Sequence, residues 1–225
     1  MSSTHTQKNS PGFSLVLVSQ SGTCDLSDTL LTQTKAKPDH QPAGNVILAD
    51  QVLANFSVTG QVIQCMLPEG CTLLEALSSL ALKAQQTGLQ YPILVEDFFL
   101  RNVEFWIQNA QDPLVGMEPG KCYQFIVRRD SGHLTQSEQL AKYGQAAPLA
   151  AMALAEACQL LTKGYQHSLF GRDAKGEGQV VRGGLDYITM GSMIGYAPYG
   201  VHIDFCLYEA EDAGPLFCEL VPTTA

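Results

Sequence analysis

Residues 148–163 place a strong limit on the folds open to this chain. Pro148 suits the start of a helix, and Gly164 follows the predicted end. Ala and Leu surround this predicted helix almost completely, so it must pack on more than one side. We expect it to lie against a sheet, with a second subunit as a further surface that it could contact. Because Glu156 interrupts a segment shorter than the ~20 apolar residues of a bilayer span, we predict a buried helix and no membrane contact.

A second helix is predicted over residues 72–87 by a motif at its start. Thr72 and Glu75 have the spacing of a capping box, in which each side chain satisfies a backbone N–H group at the helix start. Apolar residues follow at helical spacing, and Gly88 closes the segment. The apolar positions of this pattern are Leu73, Leu77, Leu80 and Ala84.

Strands are predicted around these two principal helices. The patterns that favour strands cover residues 13–18, 52–58, 93–95, 103–107, 123–127 and 216–221, with further strands at Val180, Tyr187 and Val201 and a turn or bulge at Gly60. A short helix is predicted over residues 137–143. This order predicts an α+β fold with a mostly antiparallel sheet or a partly closed barrel. We expect a loose tail over 1–12 and a single domain over 13–225, with a subdivision near 130–147 as an alternative.

Composition and charge argue against nucleic acid as a partner and indicate where the protein is located. The chain has 22 acidic and 13 basic residues, a net charge of -9 and no cluster of Lys and Arg, which argues against nucleic acid as a partner. The polar N-terminal residues lack the apolar core of a secretory signal, so we expect a cytoplasmic protein. Its seven cysteines include no C-x-x-C pair, and we interpret them mainly as buried, reduced thiols.

The predicted strand over residues 201–208 carries the most interesting polar pattern. Alternation places His202, Asp204, Cys206 and Tyr208 on one face. A His and a carboxylate two residues apart on a strand can ligate one metal ion or share a proton. The alternative is a structural role on a solvated or half-buried face. A third ligand would come from elsewhere, and the nearest candidates in sequence are His167, Glu209 and Glu211.

A segment rich in glycine and charge, residues 165–178, is open to two interpretations. It is either a mobile surface loop or a lid that carries Arg172 or Lys175 to an acidic substrate. It lacks the spacing of the known phosphate-binding loops.

Two parts of the chain resemble acetolactate decarboxylases and the related PPC domains. Residues 67–77, followed by 91–99, are similar to a strand, helix and strand of that family, and residues 200–205 are similar to its G-x-H-x-H-F zinc strand. His202 matches the first histidine of that motif. Asp204 replaces the second, no histidine follows, and the arginine expected after the strand at 99–103 is not evident. The resemblance therefore implies an altered or lost zinc site.

These observations lead to two hypotheses about function. The first is an enzyme, lyase-like or decarboxylase-like, that acts on a small oxo or hydroxy acid with a divalent metal such as zinc. Its metal ligands would be His202, Asp204 and His167, and its catalytic or substrate-binding residues Arg182, Arg172 and Glu209. The second is a non-catalytic binding or assembly protein, which would use its apolar helix and an exposed strand edge to pair with a partner or with itself in a homodimer or larger homo-oligomer.

Overall fold

The computed structural model describes most of the chain from Asn45 onward. The described residues are 45–88, 93–95, 116–164, 168–170, 180–184, 188–194, 201–207 and 211–222, and for 93–95, 188–194 and 201–207 the description covers the backbone. All of them belong to one unit of the chain, His40–Ala225. The predicted tail over 1–12 and the predicted strands over 13–18 and 103–107 lie outside these residues. Among the described helices, none is long and apolar enough to cross a membrane.

The described chain contains four helices and eight strands, and its last four elements are strands. The helices are α1 (Val46–Ala54), α2 (Leu73–Gln86), α3 (Gln136–Tyr143) and α4 (Leu149–Lys163). The strands are β1 (Ser57–Thr59), β2 (Val62–Met66), β3 (Ile93–Val95), β4 (Cys122–Arg128), β5 (Val181–Arg182), β6 (Ile188–Ile194), β7 (Val201–Leu207) and β8 (Leu216–Leu220).

The strands form one mixed sheet with the order β1-β2-β4-β8-β5-β6-β7-β3. Strand β5 pairs with β8, and β3 with β7, in parallel, whereas the other neighbouring pairs are antiparallel. The α+β prediction is confirmed, but the sheet is mixed rather than purely antiparallel. Within the described strands the order is linear, with β1 and β3 at the edges, so they do not form the predicted partly closed barrel.

The two faces of the sheet differ in what covers them. Cys65 of β2 donates a hydrogen bond from Sγ to the carbonyl oxygen of Ala151 in α4, at 3.4 Å, so its face lies against that helix. Through the strand pairings, alternate residues of β4 and β8 and Val181 of β5 lie on the same side of the sheet as Cys65. We call this side the helix face. The opposite parity includes Phe217 and Arg182, which pair with each other in register, and we call that side the outer face.

Helix α4 lies in the centre of the core. Every residue from 149 to 160 is buried, and the helix packs against α2 and β2. The prediction that it packs on more than one side is therefore confirmed. Because the chain itself covers this helix, no second subunit is needed to bury it.

The predicted strand over residues 52–58 is wrong over most of its length. Helix α1 covers Val46–Ala54, and only Ser57–Thr59 form a strand. Asn45 caps the helix, because its side-chain oxygen accepts a hydrogen bond from the Ile47 N–H at 2.9 Å. Ala49 and Val52, three residues apart, are its buried positions. The apparent alternation was part of a helical pattern, and Gly60, at φ 60°, makes the predicted turn.

Candidate functional site on the outer face

Arg182 is the candidate residue whose surroundings the structure describes most fully. It lies on β5 and is only 1% exposed. Its Nη1 donates to Oε1 of Gln139 in α3 at 3.1 Å, and its Nη2 donates to the carbonyl oxygen of Asp212 at 2.9 Å. The guanidinium thus lies between α3 and the segment that leads into β8. The sequence predicts a catalytic or substrate-binding role for Arg182, which stays a prediction, and it gives no indication of these partners.

Gln139 joins α3 to two loops beneath it. Its Nε2 donates to the carbonyl oxygens of Ser131 and Pro215, at 2.9 and 2.7 Å. Ser131 in turn donates from Oγ to the carbonyl of Arg128 and accepts from the Phe217 N–H at 2.8 Å. These bonds satisfy buried polar groups that would otherwise be costly. The result is a fixed polar junction at the end of β5, which we define as Arg182, Gln139 and Ser131.

Helix α3 is held over this junction by its own sequence and by ring contacts. Thr135 and Glu138 form a capping box at its start, and the hydrogen bonds from Thr135 lower the pKa of the Glu138 carboxyl. At its other end the ring of Tyr143 stacks on Phe217, with 5.8 Å between centroids. Arg128 lies 5.4 Å from the centroid of the Tyr143 ring. Both ends of this short helix are therefore fixed, and Gln139 contacts β5 through Arg182.

The sheet register relates Arg182 to the polar positions of β7. Arg182 pairs with Thr189 of β6, and Thr189 pairs with Cys206 of β7. Positions 202, 204 and 206 alternate along β7 and therefore lie on one side of it, and the pairing of 206 with Thr189 makes this the outer face. Strands β5 and β7 are two strands apart, which corresponds to about 10 Å. Position 204 lies two residues, or about 7 Å, along β7 from position 206, which is level with Arg182. Residues far apart in sequence thus share one face.

The other predicted site residues have different outcomes. His202 and Asp204 lie on β7 as expected, at positions whose side chains are not described. His167, Arg172 and Glu209 lie outside the described residues. Among the described residues, no group of three or more His, Cys, Asp or Glu side chains has the arrangement of a metal site. Gln136 and Gln139 were missed, because two glutamines three residues apart in a short helix stand out only once they are seen to be buried.

A second buried polar cluster lies on the helix side of the sheet. Glu156 of α4 is 0% exposed and accepts hydrogen bonds from the Ser168 hydroxyl and from the Leu169 N–H, the latter at 3.1 Å. Arg129 donates from Nη2 to the Leu169 carbonyl at 2.8 Å. Residues 168–170 are therefore buried and anchored, although they belong to the segment predicted to be a mobile loop or lid.

Three of the described thiols have the properties of core residues. Burial raises the pKa of Cys65, Cys158 and Cys218 well above the usual thiol value. Thiolates are the reactive form of cysteine, so these three groups are poor nucleophiles. This agrees with their interpretation as buried, reduced thiols.

Comparison with known proteins gives no further assignment. No protein-family model, curated protein or solved structure is significantly similar to this chain. The resemblance to acetolactate decarboxylases and PPC domains thus stays a prediction from the sequence.

Proposed function

We propose that the protein is a small-molecule enzyme of the lyase or decarboxylase type that acts on a small oxo or hydroxy acid. The observation that supports this proposal is the register of the sheet, in which Arg182 and positions 202 and 204 share the outer face. A buried guanidinium attracts a carboxylate strongly, because the attraction between charges increases where water is excluded. The substrate's acid group would accordingly lie on the side of Arg182.

In this proposal the metal ligands belong to β7. Imidazole and carboxylate are both ligand types that zinc accepts, so His202 and Asp204 fit such an ion in their chemistry. A catalytic zinc site uses three protein ligands, and His167 is proposed as the third from its place in the sequence. When bound, the metal would polarise a carbonyl or hydroxyl oxygen of the substrate.

The remaining roles in the proposal concern the acid group and the proton. Arg182 provides the fixed positive charge, held by Gln139 and the Asp212 carbonyl so that it needs little rearrangement when a substrate binds. Arg172 is proposed as a second carboxylate-binding residue and Glu209 as a proton donor or acceptor, both from the sequence alone.

Metal analysis of the purified protein tests the metal-dependent form of this proposal. We expect close to one equivalent of a transition metal in the wild type and a loss of most of it in His202→Ala. His133→Ala is the matched control, because His133 is exposed and lies in the turn before α3. Metal content below about a tenth of an equivalent in both the wild type and the control would contradict metal assistance.

The alternative is a protein that assembles with itself, for which the sequence offers an apolar helix and an exposed strand edge. Helix α4 is buried within the chain, so the helix no longer motivates assembly. Strand β1 is an edge strand with all its residues exposed, and the exposed apolar side chains include Val58, at 45%. Exposed edge strands can pair with another copy. Sedimentation would show a dimer at micromolar concentration that Val58→Lys disrupts, whereas a wild-type monomer would remove this alternative.

A further inference from the structure

We draw no further inference here: the strongest candidate, the half-buried outer face of β2 and β4, where Val62 and Ile126 pair beside the hydrogen-bonded Gln64 and Gln124, is a sheet face for which nothing in the described residues shows what covers it.

Discussion

Replacement of Glu156 by Gln tests the importance of the buried carboxylate in α4. Its carboxylate accepts two hydrogen bonds, from the Ser168 hydroxyl and the Leu169 N–H, in a place where the residue is 0% exposed. A hydrogen bond to a charged group contributes ~1.5–3 kcal/mol. A neutral amide has the same shape, but its single oxygen can replace only one of the two acceptors. We therefore expect the free energy of unfolding to fall by about 2 kcal/mol.

Urea denaturation of Glu156→Gln, with exposed Glu118→Gln as the control, measures this loss. Hydrogen exchange at the Leu169 amide should accelerate in the same variant, because its acceptor is weakened. Ser168→Ala should be less than additive with Glu156→Gln, since both changes affect the hydrogen bond between these two side chains. The reasoning is refuted if Glu156→Gln is as stable as the control variant.

Three further predictions concern other parts of the fold. Thr72→Ala removes the cap of α2 and should cost about 1 kcal/mol in urea denaturation near neutral pH. Hydrogen bonds from Thr72 lower the pKa of the Glu75 carboxyl from 4.5. The stability that these bonds contribute is therefore complete above pH 4.5 and is lost as the pH falls through the lowered pKa of the folded state. If the difference in stability between Thr72→Ala and wild type stays constant in acid, the capping role is contradicted. Gly183→Ala would place a Cβ 2.3 Å from Sδ of Met152 and 2.7 Å from the Ala147 carbonyl oxygen. This clash should destabilise the protein by ~1–3 kcal/mol, measured by thermal unfolding. An unchanged melting temperature would contradict the prediction. Three core thiols should resist a thiol reagent at pH 8 until the protein unfolds, and rapid labelling of the native protein would contradict their burial. These thiols are Cys65, Cys158 and Cys218.

The accuracy of the sequence-based predictions varied with how local their signals were. The capping box at Thr72 and the apolar run of α4 gave both principal helices nearly to the residue. The same kind of reasoning failed for residues 52–58, because apolar positions two apart also occur in a helix, and Asn45, which caps it, was not recognised. The site was predicted only in part. Arg182 was selected, but Gln136 and Gln139 were not, because two glutamines in a short helix carry no signal until their burial is known.

The sequence by itself determined the properties of this protein that depend on short segments or on overall composition. Helix starts and ends, the turn at Gly60 and the net charge of -9 depend on neighbouring residues or on totals. Tertiary structure alone decided that β3 and β5 pair in parallel with β7 and β8, and that Arg182 shares the outer face with positions 202 and 204. The physical reason is that the register between distant strands is set by how their apolar faces pack on the helices, and a shift of one residue would reverse the face of every side chain.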